Sequence, residues 1–291
     1  MARVAFVGIG TMGLHMARRV AAGGFELVVC DVDPARAAAV GAATAATAAE
    51  AAAGADAILL SLPSVAIVEQ VGLELAAAAA PGATVIDMST SPPALARRIA
   101  AACAGRGVSF LDAPVSGGPT GAEAGSLAIM VGGEADVFAR WQTLLATMGA
   151  RVEHVGGHGA GQAVKLANNV MVAANMAVMA EACTMLEREG VDLAQAYEVF
   201  TRSTSDSSVM RRRFPVPGVR PEHPATNDYD PMFRLDLLVK DASLALDLAA
   251  EHGVEAATAT AALGLYRAAL ERGYGPLDYS AVILALTQPG S

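Results

Sequence analysis

Cysteines and closely spaced metal ligands are scarce in this sequence. Its 291 residues include three cysteines, Cys30, Cys103 and Cys183, which lie far apart and form no CxxC pair. A disulfide framework would need more of them, so this distribution favours a reducing compartment. His154 and His158 are four residues apart, but two glycines between them argue against a helical metal site. We therefore predict that the protein binds no metal.

Positive charge is also in short supply. Lys and Arg number 20 against 29 Asp and Glu, which gives a formal net charge of -9. This balance disfavours binding to nucleic acid or to anionic lipid. The only strongly basic run, Arg211-Arg212-Arg213, stands beside a proline-rich segment and is expected to form a solvated surface. We predict no nucleic-acid partner.

Long uninterrupted apolar runs are missing as well. A membrane-spanning helix needs roughly 18 or more such residues, and polar residues break the longest apolar run of this chain. The first strand-like run also begins without a targeting segment before it. We therefore expect a soluble, cytoplasmic protein with no membrane partner. The interrupting residues are Lys165, Asn168, Asn169 and Asn175.

Apolar residues are plentiful nonetheless, at 54% hydrophobic against 17% charged. This is a globular composition, in a chain long enough for two domains with a sizeable core. In the first half, short β-branched runs alternate with segments of helical length, which is typical of βαβ units around a mainly parallel sheet. The predicted strands are 3–8, 27–31, 56–62, 84–88, 108–111, 127–131 and 152–155.

After about residue 160 the strand signals stop and helical segments follow, several of them ended by a glycine. Residues 211–231 contain five prolines and cannot form the interior of a helix. They are expected to be a long loop, either a flexible connection or a lid. The predicted helices are 92–104, 136–148, 162–189, 193–200, 235–252 and 258–272.

A glycine motif, Gly8-Ile9-Gly10-Thr11-Met12-Gly13, stands between the first strand and a helical segment. The GxGxxG spacing permits a tight turn and lets backbone N–H groups approach a pyrophosphate. Asp31 ends the next strand, where an acid can accept hydrogen bonds from both adenosine ribose hydroxyls and repel a 2′-phosphate. The pattern predicts NAD in preference to NADP, although Arg36 is near enough to allow some use of NADP. A solvent-facing acid in a turn is the simpler alternative for Asp31.

Later strand ends complete this interpretation. Leu62-Pro63-Ser64 and Ser89-Thr90 follow two further strands, where a sheet of this class forms its ligand crevice. We predict an α/β fold, in which a Rossmann-type doubly wound sheet is followed by an all-α C-terminal domain. Residues 1–161 would bind NAD, and residues 162–291 would serve substrate binding and oligomerisation.

Two further motifs contain candidate functional groups. The segment DAPVSGGPTG, residues 112–121, could bind an anion such as a carboxylate through hydroxyls and glycine amides, although an ordinary glycine-rich turn is the simpler alternative.

In GAGQAVKLANN, residues 159–169, Lys165 and Asn169 share one helix face. The lysine could extend to solvent, but it stands at the predicted domain seam, where ligands tend to bind. Partial burial would lower its pKa from about 10.4 toward neutrality, so that it could exchange protons with a substrate hydroxyl.

Four ordered segments, GIGTMGLHMA, DAPVSGGPTGAEAG, GAGQAVKLANN and LVKDASLALDLA, resemble the β-hydroxyacid dehydrogenases, a family that includes 6-phosphogluconate dehydrogenase. The resemblance extends from Arg3 to about Leu286, nearly the whole chain. PVPGV at 215–219, residues 229–233, Lys240-Asp241 and ERGYGPLDYSAV are most similar to the 3-hydroxyisobutyrate dehydrogenase branch.

The resemblance implies roles for individual residues. Lys165 would be the catalytic acid/base, and Asn169 would hydrogen-bond the substrate. Phe233 and Asp241 would line or support the same pocket, and the PVPGV loop would close over it. The substrate carboxylate would be held by Ser116, Gly117 and Gly118. Residues implied to contact or support NAD are Gly8, Ile9, Gly10, Thr11, Met12, Gly13, Asp31, Leu62, Pro63, Thr90, Lys240 and Asp241.

The implied reaction is the NAD-dependent oxidation of 3-hydroxyisobutyrate to methylmalonate semialdehyde, a step of valine degradation, in a homodimer or homotetramer. Another small β-hydroxyacid, such as serine, 3-hydroxypropionate or tartronate semialdehyde, would use the same motifs. The short chain disfavours a 6-phosphogluconate dehydrogenase, and Lys165 disfavours an imine reductase. A noncatalytic dinucleotide-binding module is a further alternative, disfavoured by the intact set of site residues.

Overall fold

The computed structural model describes residues 1–287. Backbone contacts divide the chain into two compact units, of which one is Met1–Lys165 and the other begins at Leu166. The predicted boundary after residue 161 stays a prediction, because one helix runs without a break from residue 160 to residue 188.

One sheet organises the first unit. Strands β1 to β6 are parallel and stand in the order β3-β2-β1-β4-β5-β6, which is the Rossmann strand order. Strand β8 pairs antiparallel with β6 and β7, and parallel with β9. All seven predicted strands are present; the two-residue strands β3 and β7 were not predicted, because two residues are too few to show a period. The strands are β1 Arg3–Val7, β2 Glu26–Cys30, β3 Ala43–Thr44, β4 Ala57–Leu60, β5 Thr84–Asp87, β6 Ser109–Asp112, β7 Val115–Ser116, β8 Leu127–Gly133 and β9 Gly149–Gly156.

Helices cover both faces of this sheet. In β1, Val4 and Phe6 belong to one apolar core, whereas Ala5 and Val7 belong to another. Alternate residues of one strand are therefore buried on opposite faces, as in a doubly wound fold. The helices of this unit are α1 Thr11–Ala22, α2 Pro34–Ala38, α3 Ala48–Ala52, α4 Val65–Ala78, α5 Pro93–Ala104, α6 Gly118–Ala124 and α7 Ala135–Ala146.

The described part of the second unit is helical, as predicted. Its apolar core includes Met176, Leu238, Tyr266 and Tyr279, all nearly or fully buried. The Rossmann-type sheet followed by a helical domain confirms the predicted fold class. The remaining helices are α8 Ala160–Arg188, α9 Leu193–Phe200, α10 Ser208–Arg213, α11 Leu235–Glu251, α12 Ala257–Glu271 and α13 Leu284–Thr287, with 3-10 turns at Pro224–Thr226 and Tyr279–Ile283.

The basic run departs from its expectation. Arg211 is exposed and pairs with Asp206, but the Arg213 side chain is only 13% exposed and pairs with the fully buried Asp278 at 3.4 Å. The prediction of a wholly solvated basic surface was therefore wrong for Arg213. The ion pair joins residues 65 positions apart, so it left no local signal in the sequence.

Helix α8 is long and apolar enough to cross a membrane by length and composition, with a mean hydropathy of 1.4 over 18 residues. By average hydropathy α8 qualifies as a possible membrane-spanning helix, whereas by the length of uninterrupted apolar sequence it does not. In this fold 44% of that window is buried in the protein, and Met176, Ala180 and Cys183 lie in the helical core. The core helix of a globular domain has the same composition.

Candidate active site

The glycine motif joins the end of β1 to the start of α1, and each glycine has its own steric role. Gly8 has a positive φ of 95°, and a Cβ there would overlap the carbonyl oxygen of Ser61. A Cβ on Gly13 would overlap the carbonyl oxygen of Gly8, so this glycine lets α1 pack against the turn. A Cβ on Gly10 would meet nothing within 4 Å. A pyrophosphate-binding loop needs a tight turn, a helix packed closely against that turn, and a backbone that the pyrophosphate can approach.

The start of α1 offers its backbone to an anion. The helix begins at Thr11, after Gly10, with no side-chain cap and no acidic residue in its first turn. Unpaired N–H groups and the helix dipole favour a negative group at such an end. Thr11 is exposed and Met12 is half-buried, so this turn is accessible to a dinucleotide.

Asp31 follows β2 and is bonded to the glycine motif itself. Its Oδ2 accepts a hydrogen bond from the Ile9 N–H at 2.6 Å, and its Oδ1 accepts one from the Asp33 N–H at 2.8 Å. The residue is half-buried, so its carboxylate both stabilises the turn and can receive hydroxyl donors. These residues fit the adenosine and pyrophosphate of NAD. The nearby Arg36 is exposed and pairs with Asp33.

The loops after β4 and β5 are tied to each other. The Leu62 N–H donates to Ser89 Oγ at 2.9 Å, and the Ser89 N–H donates to Asp87 Oδ1 at 2.9 Å. Pro63 is exposed and Thr90 is half-buried. Both loops lie at the carboxyl ends of parallel strands, where open α/β sheets bind ligands.

A buried polar network, which the sequence patterns did not reveal, joins the end of β6 to the start of α8. Asp112 Oδ1 accepts from the Gly159 N–H at 2.8 Å, and its Oδ2 accepts from the Gln162 N–H at 3.0 Å. Burial raises the pKa of the Asp112 carboxyl, and the two N–H donors oppose that rise. The Gln162 side chain in turn donates to the Ser89 carbonyl at 2.8 Å and accepts from the Ser91 N–H at 3.0 Å. The one available signal was a polar glutamine within GAGQAV.

Lys165 lies one turn after Gln162 on α8 and is 8% exposed. The alternative in which this lysine simply extends into solvent therefore does not apply. Asn169 follows four residues later on the same unbroken helix and is 3% exposed. Residues at this spacing share a helix face, so the helix presents a buried amine and a buried amide on one side.

The predicted carboxylate-binding motif forms secondary structure. Ser116 ends β7, Gly117 precedes α6, and Gly118 begins it. Both glycines have positive φ, 143° and 66°, and a Cβ on Gly117 would lie 2.9 Å from a methyl group of Leu127. The glycines are thus required by the backbone at this point. All three residues are half-buried, and their role toward a carboxylate stays a prediction.

In the second unit, Asn169 is held by two neighbours. Its Nδ2 donates to Asp241 Oδ2 at 2.7 Å, and its Oδ1 accepts from Asn168 Nδ2 at 3.2 Å. Asp241 is also buried, and its Oδ1 lies 3.0 Å from Lys240 Nζ. The predicted residues Asn169, Lys240 and Asp241 therefore form one connected group, to which the structure adds Asn168.

Phe233 is held through its backbone. The N–H groups of Met232 and Phe233 donate to Asp278 Oδ2 at 3.2 and 3.0 Å, and Asp278 Oδ1 accepts from the N–H and the hydroxyl of Ser280. The Phe233 ring packs edge-on against Tyr279 at 6.0 Å. Sequence patterns placed Asp278 in the ERGYGPLDYSAV segment but did not indicate this anchoring.

The histidine, cysteine and acidic side chains of residues 1–287 include no group of three or more that could hold a metal ion. The three cysteines are free and buried. The described site residues are those of the dinucleotide loop, the buried Lys165 and the hydrogen-bonding side chains around it.

Comparison with known proteins agrees with this geometry. Residues 3–156 match the family model of the NAD-binding domain of 6-phosphogluconate dehydrogenase. Residues 159–286 match the model described as the NAD-binding domain of NADP-dependent 3-hydroxyisobutyrate dehydrogenase. Two family models in succession thus account for nearly the whole chain.

Individual relatives are similar over their full length. An NAD-dependent L-serine dehydrogenase of Pseudomonas aeruginosa is 38% identical, with 97% of each chain covered. A probable 3-hydroxyisobutyrate dehydrogenase of Mycobacterium tuberculosis is 38% identical, with 98% of each chain covered. A solved structure of the 3-hydroxyisobutyrate dehydrogenase of Mycobacterium tuberculosis with L-serine superposes with a TM-score of 0.93 at 35% identity, and the match covers 99% of this chain and 100% of that one.

The glycine loop, its acidic partner Asp31, the two family models and the full-length relatives all point to one assignment. The cofactor is NAD, and the chemistry is the oxidation or reduction of a hydroxyacid. The chain belongs to the β-hydroxyacid dehydrogenases and is an NAD-dependent oxidoreductase of that family.

Proposed function

We propose that the protein oxidises 3-hydroxyisobutyrate to methylmalonate semialdehyde, with Lys165 as the acid/base. The observation that supports this role best is the position of Lys165, buried one turn before the buried Asn169 on α8. The relatives named as 3-hydroxyisobutyrate dehydrogenases support the substrate. The reaction is the step of valine degradation in which this hydroxyacid is consumed.

In the proposed mechanism, the neutral amine of Lys165 removes the proton of the substrate hydroxyl. NAD, held by the glycine motif and Asp31, would supply the hydride acceptor for the same carbon, which becomes an aldehyde. Asn169 hydrogen-bonds the substrate, with its amide orientation set by Asn168 and Asp241. The lysine returns its proton to solvent after the aldehyde leaves.

Substrate binding is proposed for two sets of residues. Ser116, Gly117 and Gly118 hold the carboxylate, since their half-buried backbone carries two successive glycines with positive φ. Phe233 contributes an aromatic ring to the pocket, and the Asp278 carboxylate fixes its backbone. Cofactor contacts are proposed for Leu62, Pro63, Thr90 and Lys240 in addition to the glycine motif and Asp31. The PVPGV loop at 215–219 is proposed to close over the substrate.

A second substrate has specific support. One relative is an NAD-dependent L-serine dehydrogenase, and the solved structure of another includes L-serine. Serine shares with 3-hydroxyisobutyrate a carboxylate and a hydroxymethyl group, so the same residues could hold it. The two substrates differ in an ammonium in place of a methyl group, which an apolar pocket would reject because the charge would be left unpaired.

The deciding experiment follows the formation of NADH or NADPH by the purified protein, offered NAD or NADP with 3-hydroxyisobutyrate, L-serine, 3-hydroxypropionate or glycerate. We expect the highest kcat/KM with NAD and 3-hydroxyisobutyrate. Higher kcat/KM with L-serine would reassign the substrate but keep the mechanism. Absence of turnover with every acid, in a protein that still binds NAD, would favour a noncatalytic dinucleotide-binding module.

We also propose that the chain forms a homo-oligomer, a dimer or tetramer, through the exposed side of α8. The described surface of this helix carries Val164, Met171, Val178 and Met185, which are 41%, 64%, 61% and 63% exposed. They recur every seven residues, the spacing that keeps an apolar row facing a partner helix. A second copy of the same chain fits such a row, because a two-fold axis brings like surfaces together.

We also propose that the protein is cytoplasmic, which its three free cysteines support.

The interface is tested by Val178→Glu, which places a charge in the middle of the row. We expect this variant to shift toward the monomer in size-exclusion chromatography with light scattering, because an unpaired interfacial charge is costly. Val199→Glu is the matched control, since Val199 is 62% exposed on α9, outside the row. An unchanged mass for Val178→Glu, or equal dissociation of both variants, would contradict this interface.

A further inference from the structure

The first turn of α8 is fastened to the end of β6 by one carboxylate. Asp112 accepts hydrogen bonds from the N–H groups of Gly159 and Gln162 at 2.8 and 3.0 Å. Both donors belong to the helix start, where backbone N–H groups have no partner within the helix. A negative group is favoured there by the helix dipole. Asp112 thus acts as a helix cap supplied by a residue 47 positions away from Gly159.

The backbone around Asp112 is shaped for this contact. Asp112 is fully buried, which is costly for a carboxylate unless it is hydrogen-bonded. A Cβ on Gly132 would lie 2.7 Å from Asp112 Oδ1, and a Cβ on Gly161 would lie 2.9 Å from its Oδ2. A Cβ on Gly161 would also overlap the Met130 carbonyl oxygen. A side chain at either glycine would therefore overlap the carboxylate and the backbone around it.

Gln162 forms a second fastening between the same helix turn and the loop after β5. Its amide donates to the Ser89 carbonyl at 2.8 Å and accepts from the Ser91 N–H at 3.0 Å. These two partners flank Thr90, which is proposed to contact the cofactor near the nicotinamide. The side chain of Gln162 is fully buried and uses both ends of its amide, so its position is well determined.

Lys165 leaves the helix three residues after Gln162, on the same side. We propose that Asp112 and Gln162 are positioning residues for Lys165, which hold the first turn of α8 at a set distance from the Ser89 to Ser91 loop. This inference rests on the proposed acid/base role of Lys165. The two residues act through the lysine and contact neither the substrate nor the cofactor themselves.

Loss of the hydrogen bonds of Asp112, or of those of Gln162, should lower kcat more than it weakens NAD binding. A displacement of about 1 Å at a reacting group can cost up to about 10²-fold in rate, so we expect roughly a 10-fold fall for partial misplacement. Gln162→Leu removes both side-chain hydrogen bonds at similar volume. Asp112→Asn turns an amide N–H2 toward one of the two backbone donors. In both variants the KM for NAD should stay within about twofold, because the glycine motif and Asp31 are unchanged.

A double-mutant cycle separates positioning from general damage. Each substitution is made in the wild-type chain and in Lys165→Ala, and kcat, the KM for NAD and thermal unfolding are measured. We expect Gln162→Leu to lower kcat about 10-fold in the wild type but less than about twofold in Lys165→Ala, since residues that act as a unit are not additive. The matched control is Asp192→Asn, because Asp192 also accepts two N–H groups at a helix start but on α9. Its kcat should stay within about twofold of the wild type.

The outcomes distinguish this inference from the proposed function. Equal losses of kcat with and without Lys165 would overturn the positioning role while leaving the acid/base role in place. Full turnover of Lys165→Ala alone would overturn both. If Asp112→Asn does not fold, the decision rests on Gln162→Leu, whose unfolding temperature and NAD binding show whether the chain is intact.

Discussion

Replacing Lys165 by alanine should lower kcat by roughly 10² or more, the scale of general acid–base catalysis. The amine is the buried titratable group on the α8 face shared with Asn169, and water cannot replace a positioned base. NAD affinity should persist, because the glycine motif follows β1 and Asp31 follows β2, away from α8 in the sequence. Turnover is measured by NADH formation, and NAD binding by titration of the purified variant.

A second variant tests the same role. Lys165→Met keeps the volume of the side chain without the amine, so it should be as slow as Lys165→Ala. Fast turnover in the methionine variant would show that the amine is dispensable.

The second large effect concerns Asp31 and the choice of cofactor. Asp31→Ala should weaken NAD binding by about 1.5–3 kcal/mol, or roughly 10- to 150-fold, because hydrogen bonds from the ribose hydroxyls to a charged acceptor are lost. NADP should lose less or even gain, since the carboxylate that repels its 2′-phosphate is gone. The measured quantity is the ratio of kcat/KM with NAD to that with NADP, which we expect to fall by about 10-fold or more.

Asp31 also accepts hydrogen bonds from the Ile9 and Asp33 N–H groups. Two variants therefore separate its recognition of the cofactor from its stabilisation of the turns at Ile9 and Asp33. Asp31→Asn keeps an acceptor for the backbone but removes the charge, and it should move the NAD to NADP ratio in the same direction. Asp33→Ala is the neighbouring control, because Asp33 caps the short helix α2 and is not a proposed cofactor ligand. An equal change of the ratio in Asp33→Ala would show that the turn, and not the carboxylate of Asp31, sets the preference.

Local patterns predicted most of the elements. The seven predicted strands and the six predicted helices correspond to elements of the structure, because a buried strand or an amphipathic helix repeats over enough residues to be recognised. The two-residue strands β3 and β7 escaped this test. At 112–121 an ordinary glycine-rich turn was the alternative to an anion-binding site, and the structure forms β7 and the start of α6 there.

Prediction of the candidate site stopped at hydrogen bonds between residues that lie far apart in the sequence. Lys165, Asn169 and Asp31 were identified from spacing and resemblance, but Gln162 bonds residues 71 and 73 positions away, and Asn169 bonds Asp241 across 72. A periodic pattern in the local sequence cannot indicate a hydrogen bond between residues so far apart. The same reason hid the Arg213–Asp278 ion pair, and with it the error about the basic run.

By itself, the sequence determined the doubly wound sheet, the glycine loop and the acid that follows β2, because each depends on residues close together in the chain or on a repeated local period. Only the tertiary structure decided that Lys165 is buried and that Asp112 and Gln162 hold the turn before it. Burial and long-range hydrogen bonds arise when strands far apart in sequence pack side by side, and that packing brings β5, β6 and the start of α8 together.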